Sequence, residues 1–108
     1  MKDKSGIKIH NTYGVGEGWT PIIDQLIIDL DKLGWNRNVT QIKEKFGELR
    51  FYTKSVTPQM FKLICRTEDA SCSICEICGG DGELIHVNRY SCTRCPNHKD
   101  ILFEESYL

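Results

Sequence analysis

Apolar residues recur along this chain with two different periods, and the change of period marks its elements. Ile22, Ile23, Leu26, Ile27, Leu30 and Leu33 fall at helical spacing on one face, with Asp24, Gln25, Asp29, Asp31 and Lys32 largely opposite. Thr20 is a good N-cap, Pro21 a good first helical residue and Gly34 a good C′ residue, which predicts a helix over 20–33. Ile28 lies off the stripe and reads as a solitary exposed apolar residue. From residue 39 the period shortens. Residues 39–44 read as a strand, Lys45-Phe46-Gly47-Glu48 as a turn, and residues 49–53 as the returning strand with Leu49 and Phe51 inward. Gly47 supplies the positive φ such turns often need. Lys43, Lys45, Arg50 and Tyr52 share the outward face, but Glu44 and Glu48 dilute the charge, so a solvated face is favoured over a nucleic-acid groove. Thr57-Pro58 then opens a second helix with Met60, Phe61, Ile64 and Cys65 on its apolar side and Glu68 and Asp69 on its polar side. Cys65 reads as a small core residue.

The flanking segments are less periodic. Ile7-Lys8-Ile9-His10 alternates briefly and predicts a short strand, on which His10 is a surface residue. Gly14-Val15-Gly16-Glu17-Gly18-Trp19 invites a phosphate-loop reading, which fails because neither a dinucleotide fingerprint nor a Walker spacing is present and no lysine follows. The glycines read instead as a sharp turn into the helix, with Trp19 packing just ahead of its first turn as a hydrophobic staple. Trp35-Asn36-Arg37-Asn38 reads as a polar link.

Composition changes this picture in two places. Net charge is −1, so no overall basic field draws the chain to nucleic acid or an anionic membrane. The N-terminal residues lack the apolar run of a signal peptide, and nothing approaches the ~20 apolar residues of a membrane span, which predicts a cytoplasmic protein. In a reducing compartment clustered thiols are metal ligands more often than disulfides. Of six cysteines, five (Cys72, Cys75, Cys78, Cys92 and Cys95) lie between residues 72 and 95. A domain of 108 residues has a thin stability margin, and a metal staple would widen it.

The thiols can be ranked. The second cysteine of a zinc-binding turn is usually followed by glycine, because the backbone must fold back for amide hydrogens to reach the sulfurs. Cys78-Gly79-Gly80 meets this and Cys75-Glu76 does not, so Cys75 and Cys78 form the first pair. Asp81-Gly82 reads as a turn, residues 83–87 as a strand, Asn88 as a turn and residues 89–92 as an antiparallel return, which is a zinc-ribbon-like layout. The second pair is either Cys92 with Cys95 or Cys95 with His98. Either set closes all four positions, as structural Zn2+ requires, whereas a catalytic ion would need an open position and a base such as His86 or Glu83. The fold class is therefore α+β: a body of a long helix, a β-hairpin and a second helix over residues 1–71, and a C-terminal zinc-ribbon-like module and tail over residues 72–108.

Three stretches carry a resemblance. Gly16-Glu17-Gly18-Trp19-Thr20-Pro21-Ile22-Ile23-Asp24, the run from Gln41 through Lys45-Phe46-Gly47-Glu48-Leu49-Arg50-Phe51-Tyr52, and Cys75-Glu76-Ile77-Cys78-Gly79 resemble a family of small uncharacterised phage and prophage proteins. Its members share a GWxPII helix start, a KEKFGxLRFY hairpin and a CxxCG…CxxH element. The resemblance implies Cys75, Cys78, Cys95 and His98 as the ligand set, with Cys72 and Cys92 as extra thiols, and Glu48 stands where relatives carry glycine. It implies no activity.

Three function classes follow. The favoured one is a non-enzymatic interaction protein, phage-derived and acting in the host cytoplasm, in which zinc holds a hairpin against the body and the joint surface binds a host or defence protein. The acidic and apolar segment from Ile101 to Leu108 either docks on that partner or folds back on the body. The alternative is a zinc-ribbon accessory protein that binds nucleic acid through Arg89, Arg94 and Lys99, opposed by Glu76, Asp81 and Glu83. A metal-dependent nuclease using His86 and Asn88 is the remote alternative, because the interval from Cys78 to Cys95 is too short for that fold.

Overall fold

The computed structural model describes residues 13–87 and 90–98, with Val87 and Tyr90 described by their backbone alone. The strand expected at 7–10, the turn at Asn88, the cations Arg89 and Lys99 and the C-terminal segment lie outside the described residues. A 3-10 turn (Glu17–Trp19) leads into α1 (Thr20–Lys32), followed by β1 (Val39–Lys45), β2 (Glu48–Thr53), α2 (Pro58–Ser71), β3 (Glu83–Val87) and β4 (Tyr90–Arg94). The strands form two separate antiparallel hairpins, β1-β2 and β3-β4. The architecture is α+β, as the periodicity predicts.

α1 buries Ile23, Leu26 and Leu30 fully, with Ile22 and Ile27 packed at the margin. No side chain caps its first turn: Thr20 already has helical φ and ψ because the 3-10 turn feeds straight into it. At the other end Gly34 sits at φ 83°. Its N–H donates to Asp31 O at 3.1 Å and the Trp35 N–H to Leu30 O at 3.2 Å, the paired bonds of a Schellman motif. That fold-back corrects two expectations. Leu33 lies past the last turn and is 39% exposed, while Trp35 is buried in its stead rather than lying in a polar link. Trp35 stacks obliquely on Phe51, ring centroids 5.9 Å apart, and its Nε1 donates to Thr53 Oγ1.

The β1-β2 turn is tighter than the sequence suggests. Phe46 (φ 54°) and Gly47 (φ 85°) alone make it, and Lys45 and Glu48 pair as the last rung. Positive φ at both central residues matches the right-handed twist of the strands. Leu49 and Phe51 point into the core and are almost fully buried.

α2 starts as its sequence predicts, with Thr57 Oγ1 accepting the Met60 N–H at 3.2 Å. Met60 and Ile64 are buried, but Phe61 is exposed and Cys65 only half-buried, because the face that meets the core is narrower than the apolar stripe. The polar side of α2 has a task. Ser71 Oγ accepts the Leu49 N–H at 3.0 Å and Glu68 Oε2 accepts the Phe51 N–H at 2.9 Å, so α2 caps the free edge of β2.

Candidate metal centre

The chain leaves α2 through Cys72, whose N–H bonds back to Asp69 O, and turns at once into the first cysteine pair. Ile74 bridges to Asp81, and the Gly82 N–H donates to Ser73 O at 2.9 Å, closing the base of a loop. Within it the Cys75 N–H reaches Gly80 O at 2.8 Å and the Gly79 N–H reaches Cys75 O at 2.9 Å. Gly79 takes φ 81°, which brings the Gly80 N–H to 3.4 Å from Cys78 Sγ. The glycine after Cys78 therefore does what its position predicts. β3 and β4 follow, and a second tight turn, with the His98 N–H bonded to Cys95 O at 3.0 Å, carries the other pair.

The two turns bring together Cys75, Cys78, Cys95 and His98, whose ligand atoms all lie within 4.8 Å of one another. A tetrahedral zinc with Zn–S near 2.3 Å and Zn–N near 2.0 Å has S···S edges of about 3.8 Å and S···N edges of about 3.5 Å. Here Cys78 Sγ lies 3.7 Å from Cys95 Sγ and Cys75 Sγ 3.6 Å from His98 Nδ1. The Cys95 Sγ to His98 Nδ1 separation, 3.1 Å, is tighter than the ideal edge. Burial alone would raise the Cys75 thiol, but N–H groups of Cys78, Cys95 and Ile77, with His98, outweigh it and bring it down to about 6. At Cys78 the Gly80 N–H favours the thiolate, yet desolvation and the neighbouring Cys95 and Cys75 sulfurs prevail and raise it. Three thiolates this close repel one another unless a cation sits between them. The result is a Cys3His cluster positioned to coordinate a structural Zn2+ ion, with all four places of a tetrahedron supplied by the protein.

The remaining thiols stand apart. β4 runs on to Arg94 rather than ending at Cys92, so Cys92 sits mid-strand opposite Ile85. Its backbone is committed to the ladder, and its thiol is 3% exposed and pushed up to about 11 by burial. Cys72 caps α2, and burial followed by nearby Glu48 raises its thiol as well. His86 is exposed on β3, its Nδ1 2.6 Å from Ser91 Oγ on β4, and takes no part in the cluster.

Periodicity and spacing gave no sign of how this cluster is docked. Gly16 and Gly18 lie against its backbone: a Cβ at Gly16 would come within 2.1 Å of Glu76 O, and one at Gly18 within 2.0 Å of Cys75 O. The Gly18 N–H donates to Glu76 O at 2.9 Å. Trp19, fully buried just ahead of α1, donates from Nε1 to Ile74 O at 2.9 Å. The glycine-rich stretch is thus a landing surface for the first cysteine turn, and neither Gly16 nor Gly18 has a positive φ. At the other side Gly47 meets Leu84 and Cys92, and Thr93 Oγ1 donates to Gly47 O at 2.8 Å. Glu76 joins the two halves, its N–H donating to Thr93 O and its carboxylate accepting from buried Arg94 at 3.1 Å. Burial raises the Glu76 carboxyl and the Arg94 guanidinium opposes that rise. Arg94, 2% exposed, is held inside and cannot reach a phosphate backbone, which removes one of the three cations a nucleic-acid interface would use.

No family model, curated protein or solved structure gives a match to this chain. Among the described residues, no helix is long and apolar enough to cross a membrane.

Proposed function

We propose that this chain is a zinc-clasped, non-enzymatic interaction protein that binds and modulates another protein. The closure of the Cys3His cluster by four protein ligands carries this reading, since a catalytic ion keeps one position for water or substrate. The docking of the cluster supports it. Zinc joins the two cysteine turns; the first is bonded to Gly18 and Trp19 ahead of α1, and β4 is bonded to the body hairpin at Gly47. What zinc fixes is the relation between surfaces, which serves recognition. The resemblance to small phage and prophage proteins makes a host or defence protein in the cytoplasm the natural partner.

The test is affinity capture of the tagged, zinc-loaded chain from host and infected-cell lysates, with and without chelator. The proposal expects one protein partner retained by the zinc-loaded form and lost on chelation. Recovery of nucleic acid instead, released by salt, would favour the accessory nucleic-acid reading. Turnover of a captured component by the chain would overturn the non-enzymatic one.

A further inference from the structure

The two edges of the body hairpin are treated differently. On β2 the outward N–H groups of Leu49 and Phe51 are capped by Ser71 and Glu68 of α2. Their rung partners on β1 are Glu44 and Ile42. In an antiparallel ladder rungs alternate, and a two-residue turn makes Lys45–Glu48 a hydrogen-bonded rung. The Ile42 and Glu44 N–H and C=O groups therefore point away from β2. β2 is the only strand that pairs with β1 among the described residues, and no other group there bonds the Ile42 or Glu44 N–H. Residues 39–41 and Lys45 are exposed.

The solvent face of this edge carries two lysines, while Glu44 between them lies on the opposite face, paired with Leu49. Lys43 and Lys45 project from the solvent face of β1, on the same face as their rung partners Arg50 and Glu48. Arg50 has carboxylates nearby, Glu48 and Glu68, each at 3.7 Å. Lys43 and Lys45 make no ion pair among the described residues. Two of the registers open to a second copy of β1, those centred on Lys43 or Glu44, set lysine against lysine. We infer that β1 takes up an extended acidic segment of the partner protein as a third strand, with carboxylates at alternate positions opposite Lys43 and Lys45. This rests on the proposed interaction function and names its partner surface. On the open edge Lys43 and Lys45 occupy the rungs with no hydrogen bonds, where facing Cα atoms come within about 4.5 Å and side chains pair closely. Main-chain bonds from Ile42 and Glu44 would supply affinity, and the lysines would select charge and register.

The probes are labelled nine-residue peptides that alternate valine with glutamate or valine with lysine. Binding to the zinc-loaded full chain is read by anisotropy and by hydrogen exchange at each amide. The glutamate peptide should bind, slow exchange at Ile42 and Glu44, and lose about tenfold in affinity against the double variant Lys43→Glu, Lys45→Glu. N-methylation of the peptide edge that faces β1 should abolish binding, and N-methylation of its other edge should not, a pair of results that needs no protein variant. Equal binding of both peptides, binding that protects other amides, or no binding would each overturn the inference. Protection of Ile42 and Glu44 in the free chain would also overturn it, whether constant (a segment of the chain itself on the edge) or rising with concentration (a second copy). If the double variant still captures the lysate partner, the edge is wrong while the interaction function stands. If the wild-type chain captures none, that function fails first.

Discussion

Replacing Gly18 by alanine tests the docking of the cluster directly. A methyl at this position meets Cys75 O at 2.0 Å, Gly79 N at 2.6 Å and Glu76 C at 2.7 Å, all of them backbone atoms of the first cysteine turn. Such contacts normally exceed 3 Å, so the turn must retreat by about 1 Å, enough to break the Gly18 to Glu76 hydrogen bond of 2.9 Å. The lost bond costs about 1 kcal/mol, and a carbonyl left buried without a partner adds about 1–2 kcal/mol. The total is about 2–3 kcal/mol, or roughly 8–20 °C in Tm for a domain of this size. Gly34→Ala is the matched control. Gly34 has φ 83° and a methyl there would meet nothing within 4 Å, so only the left-handed backbone opposes it, at about 1 kcal/mol. Urea titration of the zinc-loaded proteins reads both. A Gly18→Ala loss under about 0.5 kcal/mol, or one no larger than that of Gly34→Ala, would show that the turn is not seated on this segment.

Three further outcomes follow from the same contacts. Thr93→Val removes the bond to Gly47 O and should cost about 1–2 kcal/mol in denaturant, because the buried carbonyl then lacks its donor. Leu49→Ala empties a fully buried site in the core cluster and should cost about 2–5 kcal/mol while leaving zinc stoichiometry unchanged. Cys92, raised to about 11, should resist alkylation at pH 8, where its thiolate fraction is about one in a thousand against about one in ten for an ordinary thiol. Because its folded pKa lies above the unfolded one, its contribution to stability is complete below about pH 9 and falls as pH rises through about 11. Rapid labelling of native Cys92 at pH 8 would contradict its burial.

What the sequence disclosed depended on whether a signal was local. Helical spacing found α1, the cap at Thr57 found the start of α2, and Gly47 marked the hairpin, each a property of a few neighbouring residues. The first cysteine turn was readable for the same reason, since Gly79 answers a need of Cys78 one residue away. The second pair was not settled by spacing, because both candidate sets are sterically allowed. The strand length that places Cys92 mid-ladder became visible only in the pairing of Ile85 with Cys92. Nonlocal contacts misled most. Gly16 and Gly18 looked like a turn because their reason for lacking a side chain lies near residue 76. Trp35 looked like linker because its burial depends on the fold-back after Gly34. Glu68 looked like part of the polar side of α2 and Ser71 carried no signal of its own, yet both cap a strand some twenty residues earlier in the chain.

Zinc content resolved by residue tests the clasp most directly. Native mass spectrometry at neutral pH should find one zinc per chain in the wild type and in the Cys72→Ser and Cys92→Ser variants, and none in Cys95→Ser or His98→Ala, each of which removes one of the four converging ligands. A folded wild-type chain without zinc, or zinc lost as readily from Cys92→Ser as from Cys95→Ser, would contradict it.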